Sequence, residues 1–246
     1  MPLAIITGSA RRIGKNLALN FARKGWDIIV HFNTSLNEAI NVADQINAMG
    51  QRSVCIKADL RNPSEVSSLF HQAQNAIGIP DLLINNAGIF PDRKSINELF
   101  PEDWNNTIAS NLSSQFYCSK AFSDLAGKNS RIINIASLGG IEVWKNRVPY
   151  NVSKAGVIQL TRVLASELGP YGIRVNCIAP SAIATERVLK LGREGGMISD
   201  SRMRECPLGR AGTPEDIAKV VEFLCTDLSD YVTGQCIRVD GGRTLF

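Results

Sequence analysis

Seven short apolar runs, each followed or preceded by a stretch of helical length, constrain this 246-residue chain more than any other feature. The runs are Leu3–Ile6, Asp27–Phe32, Ser53–Lys57, Asp81–Asn85, residues 131–136, Ile173–Ile178 and Cys236–Val239. Helical periodicity fills the spaces: Gly14 through about Lys24, Leu36–Met49, Pro63–Ile77, Pro101 to about Leu125, Tyr150 to about Leu168, and Pro214–Cys225. Gly25 sits where a helix C-cap belongs, and Thr213 with Pro214 forms a helix start. Strands that alternate with helices of this length form βαβ units with right-handed crossovers. The expected fold class is α/β, a parallel sheet with helices on both faces. No repeat or low-complexity linker interrupts the pattern, so residues 1–246 read as a single domain.

Composition narrows the function. With 44% hydrophobic and 20% charged residues the chain has the makeup of a globular protein and not of a disordered one. The net charge of +4 comes without a dense basic run, which argues against a nucleic-acid surface and is compatible with a phosphorylated ligand. No apolar stretch approaches the ~20 residues of a membrane span, and the strand-like start at Leu3 leaves no room for a signal peptide. The expectation is a cytoplasmic protein without membrane partners. Its six cysteines form no C-x-x-C pair and read as thiols, neither disulfides nor a metal site.

Two patterns carry chemistry. Tyr150 and Lys154, four residues apart, share a helix face. An ammonium one turn away would lower the phenol's pKa and make it a usable general acid or base. Ser137 ends the apolar run 131–136, where open parallel sheets place ligands, and its hydroxyl could hold a substrate oxygen beside Tyr150. The pair taken alone could equally be a solvated i,i+4 contact. The second pattern is the turn Gly8-Ser9-Ala-Arg11-Arg12-Ile13-Gly14 after the first strand, suited to a pyrophosphate on the following helix N-terminus. The second strand ends His31-Phe32-Asn33-Thr34-Ser35 without an acid that would chelate ribose hydroxyls, while Arg11 and Arg12 stand opposite. Cations with neutral hydrogen-bonding groups suit a 2′-phosphate, so the expected cofactor is NADP(H). Asp59, beside Leu60, is placed either for an adenine amino group or to cap its own loop. Residues 181–212 hold Arg187, Lys190, Arg193, Arg202, Arg204 and the glycines of 192–196, and read as a mobile substrate loop centred on 186–206 or as a solvated insertion.

The ordered set Thr7-Gly8 to Gly14, Asp59-Leu60, Asn85-Asn-Ala87-Gly88, Asn111, Ser137, Tyr150-x-x-x-Lys154, Pro180 and Thr185 resembles the short-chain dehydrogenase/reductase family over nearly the whole chain. The resemblance implies a seven-stranded, single-domain Rossmann fold and a nicotinamide cofactor. It assigns Tyr150 as proton donor, Ser137 as hydrogen-bond partner of the carbonyl, and Lys154 as ligand of the nicotinamide ribose and tuner of Tyr150. Asn111 would hold the helix geometry and a relay water. Asn85, Ala87 and Gly88 would line the adenosine ribose side; Pro180, Ile183 and Thr185 would lie along the carboxamide. The family also packs two of its helices, here about 103–125 and 150–168, into a homotetramer; Trp104, Phe116, Tyr117 and Phe122 stand on the first.

Within the family the chain resembles 3-oxoacyl-carrier-protein reductases, through Gly209–Asp216 and Tyr231–Gln235. The implied reaction is NADPH-dependent reduction of a carbonyl to an alcohol, with a small-molecule substrate or one carried on acyl-carrier protein. Of two cationic positions used there for the acidic carrier, one matches as Lys128 and the other is Tyr171. Arg12 replaces the middle glycine of the family turn, as in pteridine reductases, so a pteridine-type reductase with Phe90 stacking on the substrate is the alternative. Ser181 replaces a further family glycine. A regulator that senses NADP without turnover is a third reading, opposed by the intact Ser137, Tyr150 and Lys154.

Overall fold

The computed structural model describes residues 1–185 and 206–245. The expected substrate loop therefore lies outside the described residues, except for Cys206. Seven parallel strands form one sheet in the order β3-β2-β1-β4-β5-β6-β7. They are β1 (Leu3–Ile6), β2 (Asp27–Phe32), β3 (Ser53–Lys57), β4 (Leu82–Asn85), β5 (Arg131–Ile135), β6 (Arg174–Pro180) and β7 (Cys236–Val239). The helices are α1 (Arg12–Arg23), α2 (Leu36–Ala48), α3 (Pro63–Ala76), α4 (Pro101–Ile108), α5 (Ser114–Ser123), α6 (Val148–Leu168) and α7 (Pro214–Leu224).

Strand residues alternate between the two faces, as the pleat requires. Ala4, Ile6, Ile28 and Val30 pack with Leu17 and Phe21 of α1, Val42 of α2 and Val221 of α7. Leu3, Ile5 and Ile29 pack on the other face with Leu69 and Phe70 of α3, Phe122 of α5 and Leu164 of α6. Both faces are covered, which explains why β1, β2 and β4 are buried at every position. The start of α7 carries a capping box between Thr213 and Asp216, and Arg210 holds the Asp216 carboxyl well below the usual carboxylate range. The strand order reverses between β1 and β4, so the turns after these strands diverge and leave a crevice at their C-terminal ends.

One departure from the expected elements matters, together with two placements. The helix expected to run unbroken from 101 to 125 is divided by a π-helical turn, Ala109–Ser113. Of its four aromatic residues, Phe122 is core and Tyr117 is half-buried, while Trp104 and Phe116 are exposed. Phe32 is also core, although it sits at the strand end facing the cofactor side. Ser181 is not among the non-glycine residues with positive φ, so serine stands there without backbone strain.

Candidate active site

A cleft of about 1020 Å³ opens over the C-terminal ends of the strands, from Asn33–Ser35 at one end to Tyr150 and Trp144 at the other. Its floor is the pair of turns at the strand-order reversal. Thr7 Oγ1 accepts the Asn86 and Ala87 N–H groups, both at 2.9 Å. The Asn86 amide donates to the Thr7 and Gly8 carbonyls at 2.9 and 3.2 Å. Gly14 is obligatory: a Cβ there would lie 2.3 Å from the Gly8 oxygen and 2.6 Å from Asn86 Nδ2. Arg12 has φ +54°, the left-handed region that a glycine adopts without Cβ strain. The turn thus keeps the backbone of a glycine while presenting a guanidinium.

His31 and Ser9 belong to the frame of this turn. Gly8 N–H donates to His31 Nδ1 at 2.9 Å, so the ring proton sits on Nε2 and is given to the Ala58 carbonyl at 3.0 Å. Burial, opposed by that carbonyl, lowers the His31 pKa from 6.5 to about 4. Ser9 is fully buried and its Oγ accepts the His31 N–H. Arg11, Arg12, Ile13, Asn33, Thr34 and Ser35 line the cleft. Glu38, which the sequence reading passed over, pairs with Arg11 at 3.6 Å. Asp59 accepts the backbone N–H and the guanidinium of Arg61, so its carboxylate caps its own loop, and Arg61 holds it below the usual range.

Leu60, Ala87 and Gly88 also line the cleft, as do Pro180, Ile183 and Thr185 on the far wall. Asn85 does not. As the last residue of β4 it points toward α5, with its amide on Asn134 at 2.9 Å and Ser119 at 3.0 Å; Asn86 takes the place on the wall.

The residues expected to react converge at the other end. Ser137 follows β5; its hydroxyl accepts the Gly139 N–H, and it is near enough to the Tyr150 phenol to favour the charged form. Gly139 and Gly140 let this turn press on α6: a Cβ on Gly140 would lie 2.5 Å from the Lys154 carbonyl carbon. Asn111, in the π turn, accepts the Ile89 N–H at 2.7 Å and donates to the Ile89 carbonyl at 3.0 Å and to Ser153 at 3.2 Å. It thereby fixes the strand exit that carries Gly88.

Burial is the largest influence on the Tyr150 pKa and raises it, opposed by Ser137 and the Arg147 charge. Lys154 donates to the Ile135 carbonyl at 2.8 Å, and burial lowers its own pKa from 10.5 to about 8. An i,i+4 spacing places two side chains on one face but does not decide where a long one turns. The sequence reading also missed Trp144, stacked on Tyr150 with ring centroids 6.0 Å apart, and Arg147. Their positions just before Tyr150 were the available signal. Phe90 meets Tyr150 edge-on and has Arg147 over its ring, so it braces the tyrosine more than it offers an open stacking face. Lys128 and Tyr171 precede β5 and β6, at the end of the sheet opposite the cleft.

The cleft fits a dinucleotide. The N-terminal turn of α1 carries no acid, the Gly8–Gly14 turn admits no added Cβ, and two arginines face the end of β2. Comparison with known proteins agrees. The family model described as Enoyl-(Acyl carrier protein) reductase matches residues 8–244. The chain is 39% identical to a (2S)-[(R)-hydroxy(phenyl)methyl]succinyl-CoA dehydrogenase subunit BbsD of Thauera aromatica, covering 99% of this chain and 97% of that one. It is 37% identical to a 3-oxoacyl-[acyl-carrier-protein] reductase of Synechocystis, again over 99% and 97%. A Burkholderia cenocepacia short-chain dehydrogenase solved in complex with NADP superposes with a TM-score of 0.91, at 30% identity over 98% of this chain and 97% of that one.

Proposed function

Because this chain belongs to the short-chain dehydrogenase/reductase family of oxidoreductases, which use a nicotinamide cofactor, we propose that it reduces a carbonyl to an alcohol with NADPH. The observation that carries the reading is the meeting of Ser137, Tyr150 and Lys154 at one end of a cleft whose other end carries Arg11 and Arg12. Gly8, Arg11 to Gly14 and Asn33 to Ser35 would hold the adenosine phosphates, Lys154 the nicotinamide ribose, and Pro180, Ile183 and Thr185 the carboxamide. The cofactor, when bound, supplies the hydride. Ser137 holds the carbonyl oxygen, and Tyr150 delivers its phenolic proton to that oxygen as negative charge develops on it. The wall of Trp144, Phe90 and Leu138 keeps water from the tyrosine.

The preferred substrate class is a 3-oxoacyl thioester, as in the name of the Synechocystis relative. Lys128 does not line this cleft, so a docked carrier protein would need a contact other than Lys128 of the same subunit. The aromatic residues around Tyr150 favour a second reading, a ketone bearing a flat ring; the Thauera relative is named for a phenyl-bearing acyl-CoA. NADPH oxidation measured across 3-oxoacyl thioesters, aryl ketones and pterins separates these. Turnover of thioesters above the others is expected; absence of turnover with every carbonyl would favour the NADP-sensing reading.

Cofactor choice is testable at Asn33. Phe32 is core, so the informative change is Asn33→Asp, which adds an acceptor for ribose hydroxyls and repels a 2′-phosphate. Wild type should prefer NADPH and Asn33→Asp should shift toward NADH. Equal efficiency of wild type with both cofactors would contradict the assignment.

A further inference from the structure

Tyr150 is only 9% exposed, and the groups around it are unequal. Phe90 meets its ring edge-on with centroids 4.7 Å apart. The guanidinium of Arg147 lies 4.1 Å from the centroid of that Phe90 ring, donates to the Pro91 carbonyl, and is itself 9% exposed. Arg147 is the N-cap of α6 and precedes Tyr150 by one turn. Helical side chains lean toward the helix N-terminus, so the phenol tilts toward Arg147 and toward the partial positive charge of the helix start. Lys154, one turn further on, is instead committed to the Ile135 carbonyl.

We propose that Arg147 is a positioning residue that holds a buried positive charge beside Tyr150, by way of Phe90 and the Pro91 carbonyl, and thereby stabilises the phenolate left after proton transfer. The phenolic O–H bond breaks, its electron pair stays on the Tyr150 oxygen, and the proton forms a new O–H bond on the reduced substrate oxygen. In a water-poor site a cation one ring away acts with less screening than in water. The direction of the Arg147 effect on Tyr150 agrees with it. Among the described residues, other polar or charged groups around the tyrosine include Lys154 and Ser153 on α6, Ser137 after β5, Lys145 between Trp144 and Arg147, Glu142 and Arg243 behind Trp144, and Arg93 in the segment after Phe90. The Glu142–Arg243 pair, 3.4 Å apart, largely cancels its own field.

The inference rests on the proposed reductase reading only for the direction in which the proton moves. Its test therefore reads the tyrosine itself. With 3,5-difluorotyrosine in place of Tyr150, fluorine NMR follows that one phenol, and its lowered pKa keeps the titration within the range of the folded protein. Arg147→Met should raise the phenol pKa by about one unit, whereas Arg147→Lys, which keeps the charge, should leave it nearly unchanged. In enzyme with the natural tyrosine, the basic limb of the pH profile for reduction should move up with Arg147→Met and stay with Arg147→Lys. An unmoved titration in Arg147→Met, or equal shifts in Met and Lys, overturns the proposal. Should Arg147→Met fail to fold, Arg147→Gln replaces it with the same expected direction. Absence of turnover with every carbonyl would refute the reductase reading and still leave the fluorine titration to decide on Arg147.

Discussion

His31 shows how much a single side chain can decide at the base of this cleft. It joins the Gly8 N–H to the Ala58 carbonyl, and it does so only as a neutral ring. Its folded pKa of about 4 lies below the ordinary value of 6.5. Above the ordinary value neither state binds a proton, and the full stability is present. As pH falls toward the folded pKa the unfolded imidazole protonates first, so stability is lost, by up to about 3 kcal/mol. Denaturant unfolding between about pH 7 and about pH 4 should show this slope. His31→Gln should be less stable at neutral pH but flatter across the interval; an unchanged slope would contradict the role. The sequence shows His31 at a strand end facing the glycine turn, which suggested a ligand. Only the structure shows that both ring nitrogens are used inside the frame. The same holds for Asn85, whose place was legible while its side-chain partners came from α5 and β5; the Asp59 partner is local, Arg61 two residues on.

At the scale of elements, the π turn Ala109–Ser113 is the least regular piece and sits beside the reacting residues. Asn111 accepts the Ile89 N–H and donates to the Ile89 carbonyl and to Ser153, so it ties the exit of β4 to α6. Asn111→Ala would leave the Ile89 backbone groups without these partners, at a cost of about 1–3 kcal/mol. It should lower kcat more than it weakens NADPH binding, since Gly88 and Phe90 lose their support while the Gly8–Gly14 turn is untouched. Equal kcat in the variant, measured with a turned-over ketone, would remove that role. All seven strands were readable from apolar runs, with ends of β4, β5 and β6 displaced by one or two residues, and the helices from periodicity, caps and prolines, with most ends displaced by as much. The π turn was not, because no proline or glycine marks it in the sequence, while the hydrogen bonds of Asn111 within it are tertiary.

For the whole molecule, the open question is assembly. Trp104, Phe116, Val152 and Val163 are 40–45% exposed and belong to the two helices expected to pack against a symmetry mate. We predict a homotetramer in solution, with Trp104→Glu and Phe116→Glu together reducing the assembled mass; light scattering of a wild-type monomer at micromolar concentration would contradict it. No helix among the described residues is long and apolar enough to cross a membrane. The central claim remains the reacting end of the cleft, where Ser137 and Tyr150 meet beside Trp144 and Phe90. The most direct measurement compares NADPH-dependent carbonyl reduction and NADPH affinity in wild type and Tyr150→Phe. Removing only the hydroxyl should cut turnover by roughly 10²–10⁴ while NADPH affinity stays close to wild type. A Tyr150→Phe protein that keeps more than about a tenth of wild-type turnover would contradict the assignment of Tyr150 as proton donor.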